Sequence, residues 1–144
     1  IPAYNEADAV APTLRALAST LEEAGLQAEV IVVDDGSTDG TSEALAALGQ
    51  ELPVVRVISH GVNRGYGAAL KTGIRAAQAD AVAITDADGT YPNERIPELY
   101  GRLVDDKADM IVGSRTGANV HIPLIRRPAK AFLRWLANHL SGQQ

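Results

Sequence analysis

An α/β fold, with a mostly parallel sheet and helices on both faces, is predicted by three observations. Residues 29–34 (EVIVVD) and 81–85 (AVAIT) are unbroken apolar, β-branched runs, the pattern of strands buried on both faces. Segments of helical spacing separate such runs, so strands alternate with helices. Each of the two runs also ends in carboxylates followed by a glycine, Asp34-Asp35-Gly36 and Asp86-Ala87-Asp88-Gly89. Polar residues at strand carboxyl ends mark the ligand crevice of an open α/β sheet.

The elements follow in order. Asn5 is placed to cap a helix, with Asp8 three residues on as a partial capping box. Val10, Leu14, Leu17 and Leu21 carry its apolar stripe to Gly25, a natural stop. Pro12 requires that helix to start near Asp8. A strand over 29–34, a turn at 36–40 and a short helix over 41–48 come next. A strand over 54–59 leads into a glycine-bearing loop, 61–67, and a helix reaching Ala77. A third strand is expected over 81–85, a helix from Pro92 to about Val104, a fourth strand over 110–113, and an amphipathic helix over 122–140 broken near Pro128. Ile1 reads as the end of a first strand whose remainder is missing, and both ends look cut, so residues 1–144 are expected to form one catalytic domain in fragment form.

Composition narrows the function. The 144 residues are 46% hydrophobic and 22% charged, which suits one globular domain with a core. There is no cysteine, which excludes disulfides and thiolate metal sites. No apolar run approaches the roughly 20 residues that span a bilayer. The net charge of −5 is unevenly spread. All acids lie in the first 109 residues, whereas Arg115, Arg126, Arg127, Lys130 and Arg134 follow without one. That basic end suits an anionic lipid surface or a phosphate, or is a solvated helix face.

Asp86 and Asp88 carry the chemistry. Side chains at i and i+2 of an extended chain point the same way, so the two carboxylates can converge. They repel unless a cation lies between them, and Mg²⁺ or Mn²⁺ prefers such oxygen ligands and commonly arrives with a phosphate. Asp35 is read as a ligand contact for a base or ribose, and Asp39 as a cap for the helix that follows it. Lys71 and Arg75 either reach a diphosphate or form a solvated face. His60, His121 and His139 lack metal-site spacing and are read as loop or surface histidines. Trp135 and its apolar neighbours form a packing face or, beside the arginines, an interfacial helix.

Five blocks, Pro2-Ala3-Tyr4-Asn5-Glu6, VVDDGSTDGT, Asn63-Arg64-Gly65 with Gly67, DADGTYP and Val112-Gly113-Ser114-Arg115, resemble the family 2 glycosyltransferases in order and spacing. DADG followed by a proline, with GSR downstream, is most similar to the branch that glycosylates polyprenyl phosphates, as dolichol-phosphate mannosyltransferase does. The resemblance implies a GT-A (Rossmann-like) fold and inverting transfer of a hexose from a nucleotide-diphosphate sugar to a polyprenyl phosphate. It further implies that Pro2, Tyr4 and Glu6 line the nucleoside pocket and that Asp35 contacts the base. Asp86 and Asp88 would form the DxD-type metal site, with Asp88 the direct ligand of Mg²⁺ or Mn²⁺. Arg115 would face a phosphate of donor or acceptor, and Arg126, Arg127 and Lys130 would supply further phosphate- and membrane-facing charge. The expected setting is the cytoplasmic face of a membrane, without a nucleic-acid partner.

Other readings compete. A glycosyltransferase with a hydroxyl acceptor would need a general base, and none is evident. VAITDADGT also resembles the DxDGT phosphatases, but only Lys107 and Lys130 follow it as lysines and no acid follows Asp109. A nucleotidyltransferase would need a glycine-rich basic loop where PAYNEAD stands. A non-catalytic sugar-nucleotide-binding module is the remaining alternative.

Overall fold

A computed structural model describes residues 1–114, and the elements below belong to one compact unit, Ile1–Ile111. The order is β1 (Pro2–Ala3), α1 (Ala7–Glu23), β2 (Val30–Asp34), α2 (Thr41–Glu51), β3 (Val55–Ser59), α3 (Tyr66–Ala76), a 3₁₀ turn (Asn93–Arg95) and α4 (Ile96–Asp105). The sheet is parallel, with strand order β1-β2-β3.

β2 is buried along its whole length, and its alternating side chains build two cores. Val30 and Val32 pack with Val10, Leu14, Leu17 and Leu21 of α1 and with Leu45 and Leu48 of α2. Ile31 and Val33 face the opposite way, with Ala69 of α3. Helices therefore cover both faces, as the unbroken apolar run of β2 requires.

The end of α1 follows from Gly25. With φ +64° it donates to the Glu22 carbonyl, and Leu26 donates to that of Leu21 at 3.0 Å. This paired arrangement closes a helix on a left-handed residue, which glycine adopts at least cost. The cap differs from expectation. Asn5 is not the cap: its φ is +57°, its Oδ1 accepts from the Thr38 amide, and the helix begins at Ala7 after Glu6. The start at Ala7 agrees with the start near Asp8 that Pro12 required, and Pro12 lies in the second turn on an exposed face.

The expected strands over 81–85 and 110–113 do not form. Val82 and Ile84 are about half exposed, at 50% and 52%. A strand needs a partner for its backbone groups. The free edge at β1 offers two residues, one of them a proline with no N–H, which is too little to template a further strand. The expected helix from Pro92 divides into the 3₁₀ turn and α4. The expected helix over 122–140 lies outside the described residues.

Register does the positioning. Ala3 pairs with Asp34, and Asp34 with Ser59, so three strands end level with one another. Tyr4 to Glu6, Asp35 and His60 consequently leave the sheet at one edge. Gly36 locks that edge. Its φ is +73°, and a Cβ there would lie 2.4 Å from the Val62 carbonyl carbon. The close approach that this glycine permits is thus by backbone of the 61–65 loop. Gly36→Ala is expected to cost about 3 kcal/mol, from the left-handed conformation and the overlap together. Chemical denaturation checks this, and a loss of under about 0.5 kcal/mol would contradict it.

Candidate functional site

Asp35 lies just beyond β2, and only 4% of its side chain is exposed. Its Oδ1 accepts from His60 Nδ1 at 2.6 Å and the Arg64 amide at 3.0 Å, and its Oδ2 accepts from the Gly65 amide at 2.7 Å. An ionised carboxylate only accepts, so the His60 Nδ1–H is the donor. His60 Nε2 in turn meets Thr72 Oγ1 of α3 at 2.8 Å. The carboxylate is therefore a clamp that fixes the Arg64-Gly65 turn and the start of α3. Burial pushes Asp35 up, but the hydrogen bonds from His60, Arg64 and Gly65 outweigh it and hold the carboxyl below its ordinary range.

His60 is a loop histidine, one of the two readings expected from spacing, but not a surface one: only 5% of its side chain is exposed. It is the first residue past β3, and its amide extends the ladder to the Asp34 carbonyl. A histidine directly after a strand, at the edge where Asp35 directly follows the neighbouring strand, was the available signal. It depended on strand register, which spacing along one chain does not contain.

Asp34 is buried and accepts from the Ser37 amide and from Ser42 Oγ. Burial raises its pKa, and those hydrogen bonds bring it below the ordinary value. Asp39 accepts from the Thr41 amide at 2.9 Å and the Ala7 amide at 3.2 Å, so one carboxylate serves the N-termini of α2 and α1. The capping role expected for Asp39 holds, extended to a second helix.

Asp86 and Asp88 flank buried Ala87, while Thr85 beneath them is buried and donates to Asn93 Oδ1 at 2.6 Å. This alternation turns both carboxylates outward, Asp86 partly exposed and Asp88 exposed. Tyr66, the first residue of α3, donates its hydroxyl to Asp86 Oδ1 at 3.1 Å. Asp88 Oδ1 accepts from the Thr90 amide at 2.9 Å. Glu6 lies in the same field: desolvation raises its pKa, and the charges of Asp88, Asp39 and Asp86 raise it further.

Of the other expected site residues, Tyr4 is exposed at the sheet edge, whereas Pro2 is buried within β1. Lys71 and Arg75 lie on exposed positions of α3. Arg115, Arg126, Arg127 and Lys130, with His121, His139 and Trp135, lie outside the described residues. A groove of about 430 Å³ runs from Asp88 and Gly89 along Ala9, Thr13 and Ala16 of α1.

Among the described residues no three acidic or histidine side chains form a closed metal cage. A divalent cation nonetheless fits the donor set. Mg²⁺-type ions are commonly held by one or two carboxylates plus substrate phosphates. The charges of Asp86 and Asp88 that help raise the Glu6 pKa are what a cation there would relieve.

A sequence model of Glycosyl transferase family 2 matches residues 1–143. The chain belongs to glycosyl transferase family 2. A dolichol-phosphate mannosyltransferase of Mycosarcoma maydis is 32% identical over 150 residues, spanning 99% of this chain and 51% of that protein. An undecaprenyl-phosphate 4-deoxy-4-formamido-L-arabinose transferase of Salmonella paratyphi B is 30% identical over 145 residues, spanning 99% of this chain and 43% of that protein. The dolichyl-phosphate beta-glucosyltransferase ALG5C of Trichomonas vaginalis is 30% identical over 142 residues, spanning 92% and 42%. The chain thus spans about half the length or less of these curated relatives. In structure it is similar to the mannosyltransferase PcManGT from Pyrobaculum calidifontis, solved in complex with GDP-Man and Mn²⁺. The TM-score is 0.60 and the identity 32%, covering 72% of this chain and 31% of that one. The fold is accordingly GT-A, as the sequence resemblance implied, and family membership decides against the phosphatase and nucleotidyltransferase readings.

The pH dependence of this family 2 domain follows from its buried acids. Asp34 and Asp35 have depressed pKa values in the folded state, so the unfolded chain binds protons more readily. Their contribution is complete above the unfolded value of about 4 and drains away as pH falls from there through the lower folded values. The melting temperature is expected to hold from pH 7 to about 5 and to fall steeply below about 4. Asp35→Asn should cost about 2 kcal/mol at pH 7, because an amide cannot accept at both oxygen positions. It should also shallow the acid slope, and an acid slope unchanged in that variant would contradict the assignment.

Proposed function

We propose that this chain is the donor-binding and catalytic part of an inverting glycosyltransferase that moves a hexose from a nucleotide-diphosphate sugar to a polyprenyl phosphate. The observation that carries the reading is the outward placement of Asp86 and Asp88 on either side of buried Ala87, near enough to Glu6 for their charges to raise its pKa. Relatives named for transfer to dolichyl and undecaprenyl phosphates support the acceptor, and the GDP-Man and Mn²⁺ complex of the similar mannosyltransferase supports the donor class and the metal.

In this reading Asp88, with Asp86, holds Mg²⁺ or Mn²⁺, which when bound neutralises charge developing on the leaving diphosphate. Glu6 and Tyr4 border the nucleoside. Asp35 shapes that pocket by fixing Arg64 and Gly65. A phosphate acceptor has a second pKa near 6 and is already largely dianionic at neutral pH, so it needs positive charge more than a general base. Arg115 is assigned to that phosphate, and Arg126, Arg127 and Lys130 to phosphate and to an anionic membrane surface on the cytoplasmic side. Among the described residues no helix is long and apolar enough to cross a membrane.

The test is a thermal-shift screen with UDP-, GDP- and dTDP-sugars in Mn²⁺, since a bound ligand raises the melting temperature by mass action. One donor is expected to stabilise the chain only with metal, and Asp88→Ala should abolish that metal-dependent part while keeping the fold. The same donor should glycosylate a polyprenyl phosphate with inversion at the anomeric carbon. Full metal-dependent binding by Asp88→Ala would overturn the metal assignment, and transfer only to a sugar hydroxyl would overturn the acceptor.

A further inference from the structure

The Tyr66–Asp86 hydrogen bond joins the start of α3 to the segment that carries Asp86 and Asp88. Tyr66 opens α3, directly after Gly65, whose amide is held by Asp35 at 2.7 Å. One helical turn and a half further on, Thr72 is tied through His60 to the same carboxylate. The first turns of α3 are thus pinned at both ends, and the Tyr66 backbone is a fixed point. On the other side, buried Thr85 and Ala87 fix the backbone around Asp86. The carboxylate itself still has two free torsions, and the Tyr66 hydroxyl is its described hydrogen-bond partner.

An ionised carboxylate cannot donate, so the tyrosine is the donor and the bond is charge-assisted. It occupies Oδ1 and leaves Oδ2 for another ligand. The Asp86 charge in turn raises the Tyr66 pKa, after desolvation as the larger cause, which keeps the hydroxyl protonated at neutral pH. Tyr66 is itself 54% exposed.

We propose that Tyr66 is a positioning residue for Asp86: its hydroxyl fixes one carboxylate oxygen so that the other is presented to the cation that accompanies the donor diphosphate. The inference rests on the reading of Asp86 and Asp88 as the cation site. It also means that the clamp on Asp35 acts on the cation site through α3, so the nucleoside edge and the diphosphate edge are built on one brace.

The experiment is a titration of the full chain with Mn²⁺ in saturating GDP or UDP, with free Mn²⁺ followed by electron paramagnetic resonance. Tyr66→Phe removes only an exposed hydroxyl, so the melting temperature should stay as in the wild type. Its Mn²⁺ dissociation constant should rise about 3- to 10-fold, the scale of one exposed charge-assisted hydrogen bond. In an Asp86→Asn background, where affinity is already reduced, Tyr66→Phe should add nothing further. If Asp86→Asn weakens Mn²⁺ binding but Tyr66→Phe does not, the positioning role is overturned and the cation site stands. An equal effect of Tyr66→Phe in both backgrounds overturns the role as well, because the hydroxyl then acts elsewhere. If wild type binds no Mn²⁺ with either nucleotide, or Asp86→Asn and Asp88→Ala leave binding unchanged, the cation-site reading fails and takes the inference with it.

Discussion

The carboxylate of Asp35 is the constraint on which the rest of the site depends. It is buried, and its two oxygens accept from three donors that come from the 60–65 segment. A buried ionised group is tolerated only when it is fully partnered. The requirement therefore works in both directions: the loop satisfies the carboxylate, and the carboxylate dictates where the loop runs. Gly36 follows from the same constraint, since the loop passes so close to it that no side chain fits. The start of α3 follows too, because Gly65 is its cap residue.

Opposite this satisfied charge stands an unsatisfied one. Asp34, Asp35 and Asp39 are all held below their ordinary pKa by hydrogen bonds, whereas Glu6 is raised by desolvation and by its acidic neighbours. The scaffold acids are held by several donors, whereas at the open edge Asp86 accepts from Tyr66 and Asp88 from the Thr90 amide, and the charges of both bear on Glu6. A raised acid beside two further carboxylates, in an otherwise well-partnered fold, marks a candidate binding site.

Much of this was legible in the sequence because it was local. The 29–34 run had to be doubly buried, and the stripe Val10, Leu14, Leu17, Leu21 had to be the inner face of a helix ending at Gly25. Asp39 as a cap needed only spacing. What sequence did not yield was pairing between distant segments. AVAIT has every mark of a strand but lacks an adequate neighbour, and Asn5 gave up its cap role to bind Thr38. His60 and Tyr66 were missed for the same reason, as their partners Asp35 and Asp86 lie 25 and 20 residues away.

The most direct test of the account is native-state hydrogen exchange at the Arg64 and Gly65 amides. Both sit in an irregular loop, where exchange is ordinarily fast. If Asp35 anchors the site as described, both amides exchange slowly, at rates approaching those of the β2 ladder, and become fast in Asp35→Asn while β2 stays protected. Exchange in the wild type as rapid as in a free loop would contradict the central role given to this carboxylate.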